Sequence, residues 1–525
     1  MTSVTGPTHD SGEGAVRTTP DGSDTGPRPR ELRVAVIGSG FSGLGMAIRL
    51  VQQGIENFLV FERADEVGGT WRDNTYPGCQ CDVMSHLYSF SFARNPGWTS
   101  TFGHQAELYA YLRDCADRFG VRPHIRFGHE MLAAHWDGDL RRWRVQTSQG
   151  EYLAQVLVTG SGYLSEPSIP DIPGLADFDG TMFHSSRWNH DHDLSGRRVA
   201  VIGTGASAIQ FIPKIQPQVE RLDVYQRTPP WIGPKNDKST TAVQSWLLHN
   251  LPGYQSLRRN WNMWGREILA FVMARPRVAA KMQKMASDHL RKSVLDPQLR
   301  ARLTPDYVMA CKRLLFSNTY YPAIQQSNVE LVTDRIKSVK GRSVHTQDGH
   351  QRDVDTIILG TGFQATDQPI ARRIWGRDGE QLSQVWQRDG IAAHRGTTVA
   401  GFPNLFMMLG PNTTLGHSSQ TVMIEAQIRY VLDALRLMDS RDLDSVEVRP
   451  HAQQEWNSTL ARRLRGTVWT AGGCTSWYHD AQGRNPSIWP TYTWRFRRET
   501  RRFNPNEYQL ARRSDIAGTT SPVHA

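Results

Sequence analysis

The stretch RVAVIGSGFSGLGMAIRL, residues 33–50, is echoed by RVAVIGTGASAIQFIPKI, residues 198–215. Each begins with the same six residues and runs into a turn of regularly spaced small residues. The first turn gives Gly38, Gly40, Ser42 and Gly43; the second runs Gly203, Thr204, Gly205, Ala206, Ser207 and Ala208. The first glycine permits a tight turn, the second lets backbone approach a pyrophosphate, and a small third residue lets a helix pack on its strand. Amides at the helix N-terminus then stabilise the anion. The spacing predicts two dinucleotide sites in one chain.

The residues after the next strand separate the two sites chemically. FLVFE ends at Glu62, where the fingerprint wants an acid for a ribose hydroxyl, whereas RLDVYQRT carries Gln226 and Arg227 there. A carboxylate accepts hydrogen bonds from a free 2′-hydroxyl and repels a 2′-phosphate; a guanidinium pairs with a phosphate bidentately. The first copy suits FAD or NAD and the second NADP; the alternative is a duplicated unit whose Arg227 merely faces solvent. Two dinucleotides on one chain imply a hydride passed from NADPH to FAD. A disulfide reductase would need a C-x-x-C pair, and an electron-transfer reductase an iron–sulfur or haem motif; neither pattern is visible.

These groups need elements to hold them. Leu32–Ile37 is apolar except for Arg33, which suits a buried parallel strand, and an apolar-periodic helix follows through Leu50. The expected fold is α/β, with two Rossmann-like dinucleotide-binding domains and a helical insertion. Residues 233–310 carry Trp and Leu at helical intervals, which predicts a small lobe over the active site rather than a membrane-surface patch.

A chain of 525 residues with 38% hydrophobic content has room for two or three cores. No apolar run reaches the roughly 18 residues of a membrane span, and the start lacks a signal-peptide pattern, so a cytoplasmic protein is expected. The formal charge of +10 is concentrated partly in WRFRRETRRF, residues 494–503, without the motifs of a nucleic-acid binder. A solvated basic face, or a field that draws in an anionic cofactor, is the expectation. Cysteines 79, 81, 115, 311 and 474 are expected as buried free thiols. Residues 1–31, rich in Gly, Pro, Ser, Thr and Asp, are expected as a disordered tail. HDHD at 190–193 is expected as exposed loop charge, with no metal site.

Two further stretches carry a family resemblance. GGTWRDNTYPGCQCD, residues 68–82, and FDGTMFHSSRWN, residues 178–189, resemble the signatures of type I Baeyer–Villiger monooxygenases. In the second, Phe178, Gly180, His184 and Trp188 fill the family spacing, with Asn189 where the pattern usually has Pro or Asp. VYQRTPPW, ACKRLLFSNTYYPA and DTIILGTGF resemble the family's NADPH-phosphate, active-site arginine and return-strand segments, so the likeness runs from residue 32 onward. It implies FAD and NADPH as cofactors and a ketone and O2 as substrates. In such enzymes reduced flavin adds oxygen at C4a, and the peroxide anion inserts oxygen next to a ketone carbonyl, giving an ester or lactone.

The resemblance also implies residue roles. Arg313 would be the catalytic cation, oriented by Asp82, which also approaches the flavin; Thr70, Trp71 and Tyr88 would lie near the flavin too. Lys312 and Arg227 would hold the NADPH 2′-phosphate, Trp477 would contact the nicotinamide half, and His184 would be a hydrogen-bonding post between domains. The FAD domain would comprise 32–165 and 360–525, with the NADP domain, 166–359, inserted between, its helical insertion at 233–310. The rival readings are an N- or S-oxygenating flavin monooxygenase and a nucleotide-sensing redox module.

Overall fold

A computed structural model describes residues 29–512. The expected tail lies outside these residues up to position 28. Its last three residues, 29–31, lie within them, and Arg30 and Glu31 pair with Tyr152 and Leu153, so the first strand spans Arg30–Ile37. Ladder pairing carries the strand two residues beyond its apolar stretch.

Among the described residues, eight strands form the first sheet. Arg30–Ile37 sits in its middle, parallel to Phe58–Phe61 on one side and to Gly150–Thr159 on the other. Val34, Ala35 and Val36 are fully buried, as a strand covered on both faces requires. The antiparallel strands Met131–Asp137 and Arg142–Thr147 extend the sheet. Two late strands, Ile374–Trp375 and Leu405–Met407, join it far from their neighbours in sequence.

The second sheet is wholly parallel: Val329–Val332, Arg221–Tyr225, Arg198–Ile202, Thr356–Leu359 and Thr181–His184. Each sheet places its RVAVI strand centrally and follows it with a helix, Phe41–Gln52 in the first and Ala208–Ile215 in the second. Two chain crossings run side by side between the sheets. Ser168 donates its amide to the Gly362 carbonyl at 2.8 Å, and Gln364 to that of Glu166 at 3.0 Å.

Residues 233–310 are largely helical, as expected, with helices Ala242–Asn250, Tyr254–Met273, Pro276–Ser293 and Pro297–Arg302. The basic run forms the helix Thr493–Glu499, which buries Phe496; Arg463 and Arg495 both pair with Glu499. His190 and His192 of the HDHD segment bond to Thr75 and Thr356, each at 2.8 Å.

One cysteine expectation is overturned. Cys311 and Cys474, 163 residues apart, form a disulfide, while Cys79, Cys81 and Cys115 are buried thiols. The two sulfurs meet because the 308–311 segment runs against the glycine pair 472–473, with the Val308 amide on the Gly472 carbonyl at 2.9 Å. Spacing in sequence carries no sign of that approach. No described helix is long and apolar enough to cross a membrane.

Candidate active site

The first turn is sterically closed around its glycines. Gly38 has φ +91°, and a Cβ on Gly43 would lie 1.7 Å from the Gly38 carbonyl oxygen, so any side chain there breaks the strand–helix contact. The loop 68–69 presses on it from outside, since a Cβ on Gly69 would come within 3.0 Å of the Gly40 Cα. A cavity of about 620 Å³ opens over this turn. Gly38, Gly40, Ser42, Glu62, Thr70, Trp71 and Tyr88 line it; Gly43 lies beneath the turn, and Asp82 is not among the lining residues. The cavity's size, its glycine floor and the helix N-terminus beside it fit a dinucleotide such as FAD.

Glu62 is only 4% exposed and its acceptor capacity is fully engaged. Oε2 accepts from the Ser39 amide at 2.9 Å and hydroxyl at 2.7 Å; Oε1 accepts from the Ala64 amide at 3.0 Å and pairs with Arg72 at 3.1 Å. Burial pushes its carboxyl up, but the Arg72 charge and the Ser39 hydrogen bonds outweigh it and hold the pKa below the usual value. Trp71 donates its ring N–H to the Tyr88 hydroxyl at 3.3 Å.

The rest of the 68–82 loop crosses to the second unit. The Tyr76 hydroxyl donates to Gln210 Oε1 at 3.0 Å, and Gln210 Nε2 donates to the Gln80 carbonyl at 3.0 Å. A Cβ on Gly78 would meet the Gln210 carbonyl at 3.0 Å. The loop therefore docks on the second helix and delivers Asp82 to Arg313. Arg313 Nε and Nη2 donate to the two Asp82 oxygens at 2.8 and 2.7 Å. Asp82 raises the Arg313 pKa further, while burial, which opposes ionisation of Asp82, is outweighed by Arg313 so that the carboxyl stays below its ordinary range. Both groups are charged at every working pH. Ala310, just before this segment, has φ +73°, a conformation that costs a non-glycine residue of order 1–3 kcal/mol.

The second turn has the same opening, with Gly203 at φ +108°. Thr204 is buried, Gly205 and Ala206 are exposed, and Ala208 is buried under Gly360. Gln226 is buried, its Nε2 donating to the Arg302 carbonyl at 2.9 Å. Arg227 is exposed, and its charge helps lower the Lys312 pKa after burial has done so first. Two cations that repel each other at the end of the second strand fit the 2′-phosphate of NADP.

The 178–189 fingerprint is tightly packed at its start and holds a buried histidine at its centre. A Cβ on Gly180 would meet the Phe178 ring and the Asp355 carbonyl, both at 2.5 Å. Trp188 packs between Phe183 and Phe211, at 5.1 and 5.3 Å between ring centroids. His184 accepts the Ser186 amide on Nδ1 at 3.1 Å and sets its ring against Phe363 on the return crossing. Burial pushes its pKa down to about 4.

Trp477 stacks on Tyr163, a cavity-lining residue, with centroids 6.1 Å apart. Sequence reasoning missed Tyr163 and Tyr478, both in the electrostatic field of Arg313, and Arg266, which donates to the Asp82 carbonyl at 3.4 Å. Nothing in their local patterns marks them; the fold alone brings them together. The loop 410–419 is mostly buried, and Asn412 ties it to the carbonyls of Asn485 and Ile488 at 3.2 and 3.0 Å.

A family described as pyridine nucleotide-disulphide oxidoreductase matches residues 35–263. A Baeyer–Villiger monooxygenase of Streptomyces coelicolor is 49% identical over 484 residues, covering 92% of this chain and 93% of its own. Another, from Pseudomonas aeruginosa, is 48% identical over 501 residues, covering 94% and 93%. The closed crystal structure of cyclohexanone monooxygenase superposes with a TM-score of 0.81 at 28% identity, covering 92% of this chain and 100% of that one. Steroid monooxygenase bound to NADP gives 0.81 at 29% identity, covering 92% and 99%. Relatives this similar over nearly their whole length place the chain among the Baeyer–Villiger monooxygenases.

Proposed function

We infer that the chain inserts one oxygen atom from O2 next to a ketone carbonyl, giving an ester or lactone, with FAD on the first unit and NADPH on the second. The observation that carries the site assignment is the two-hydrogen-bond pair between Arg313 and Asp82, formed where the 68–82 loop meets the second unit. NADPH supplies the hydride and FAD the oxygen-activating chemistry when bound. Arg313, unable to lose its proton, stabilises the negative charge that develops on the substrate's carbonyl oxygen. Asp82 fixes the plane of the guanidinium.

Glu62 orients the FAD ribose; with four partners already in place, it does so by sharing or displacing a contact from Ser39 or Arg72. Arg227 and Lys312 take the 2′-phosphate, and Trp477, stacked on Tyr163, closes the nicotinamide side. His184 is a post between the crossings. We assign 32–165 and 360–525 to the FAD domain and 166–359 to the NADP domain, supported by the strands each sheet recruits. We place the enzyme in the cytoplasm, where NADPH is regenerated.

Oxygenation of nitrogen or sulfur proceeds without a substrate oxyanion and has no use for a fixed cation, so the Arg313–Asp82 pair speaks for the ketone reaction. Product masses from a mixed panel of ketones and sulfides, with NADPH and O2, test this. Esters or lactones one oxygen heavier than the ketone are expected; sulfoxides without any ester would overturn the reading.

A further inference from the structure

The helix Tyr254–Met273 buries three polar residues and leaves a stripe of large apolar ones at solvent. Its inward face mixes polar residues, Arg259, Asn262 and Glu267, with Ala270, Val272 and Met273. Arg259 Nη1 donates to the carbonyls of His86, Leu87 and Ser89, and Glu267 accepts the Thr493 amide at 3.1 Å. The outward face is apolar. Leu257, Trp261, Trp264, Ile268 and Phe271 recur every three or four residues, and Trp261 and Ile268 are 76% and 68% exposed. Trp246 on the preceding helix is also exposed. The buried face is complete without this stripe, through these polar contacts and the packing of Val272 and Met273 into a core, and an exposed apolar stripe of this kind marks an interaction surface.

Charge identifies what covers it. Arg275, Arg277, Lys281, Lys284, Arg291 and Lys292 stand exposed on the following helix and its cap, while between positions 242 and 296 the acids are buried Glu267, Asp288 paired with Arg291, and Asp296. The Arg275 guanidinium lies over the Phe271 ring at 3.9 Å, at the end of the stripe. A second copy on this face would set both basic sets against each other across a two-fold axis. An anionic lipid surface accepts both features, since tryptophans settle at the headgroup boundary and cations meet the phosphates. We propose that this lobe docks the enzyme peripherally on an anionic membrane surface.

FAD-loaded enzyme sedimented with vesicles of pure phosphatidylcholine, and with vesicles also containing phosphatidylglycerol, tests the proposal. The enzyme pellets with the anionic vesicles only, and added salt releases it. The double variant Trp261→Gln, Trp264→Gln partitions on the order of tenfold more weakly. Lys281→Gln with Lys284→Gln weakens binding by about fivefold per cation removed. Both variants turn over a water-soluble ketone as wild type does without vesicles, which shows that they are folded. Enzyme left in the supernatant with anionic vesicles overturns the proposal, as does equal binding to pure phosphatidylcholine or undiminished binding by the tryptophan variant. A wild-type dimer in sedimentation velocity that the tryptophan variant loses would mean that a second copy covers the face.

Discussion

The two RVAVIG units share a backbone and differ in how much of their chemistry they satisfy internally. In the first, Glu62 holds Ser39, Ala64 and Arg72 and lines the cavity over the turn. In the second, Arg227 stands exposed beside Lys312, so the pair repels until an anion arrives. The same turn thus stands beside a carboxylate satisfied within the fold in one place and beside an unbalanced pair of cations in the other.

Exchanging glycine and alanine at the third small residue of each turn should break this comparison most sharply. Gly43→Ala puts a Cβ 1.7 Å from the Gly38 carbonyl and should yield protein without bound FAD, read as loss of flavin absorbance after purification. The second unit already has Ala208 there; Ala208→Gly should cost no more than about 1 kcal/mol and leave FAD in place. A yellow Gly43→Ala enzyme of normal stability would show that the tight contact is not needed.

Next in size is the charge difference. Arg227→Ala should raise the apparent KM for NADPH by roughly 10- to 100-fold, the worth of a charge-assisted hydrogen bond, and leave that for NADH nearly unchanged. Equal losses with both nucleotides would remove Arg227 from phosphate recognition.

The smallest effect concerns acid. His184, on the second sheet, and His417, in the buried 410–419 loop, are held neutral by burial, with pKa values of about 4 and about 3 against an ordinary 6.5. The unfolded chain takes up these protons first, so stability is full above pH 6.5 and falls as pH drops toward the folded values. At pH 5 each imidazole should cost about 2 kcal/mol relative to pH 8. Tm against pH should be flatter for His417→Gln and for His184→Gln than for wild type; an unchanged slope in either would contradict that histidine's part.

What was legible in the sequence is what local geometry enforces. A strand, a glycine turn and a helix must follow one another along the chain, so both nucleotide turns could be read directly. The Asp82–Arg313 contact, 231 positions apart, came only through family resemblance, and the structure forms it with two hydrogen bonds. The Cys311–Cys474 bond had no such guide, because neither spacing nor neighbouring residues mark two distant cysteines as partners. The lobe shows a subtler limit. Periodicity announced helix within 233–310, but a period says nothing about which face turns inward, and in Tyr254–Met273 the large apolar stripe faces solvent while Arg259, Asn262 and Glu267 are buried. Tyr163 and Arg266 likewise join the site through tertiary placement alone.

Arg313 stands where the 68–82 loop meets the second unit, held by Asp82. Arg313→Ala should keep its FAD, since the cavity residues are untouched, and form ester from a ketone the wild type accepts on the order of 10² to 10³ more slowly. Flavin reduction by NADPH should be followed by stopped flow on the same sample, separately from product, because the guanidinium can also position the nicotinamide. A variant that holds FAD and still makes ester at the wild-type rate would contradict the central claim.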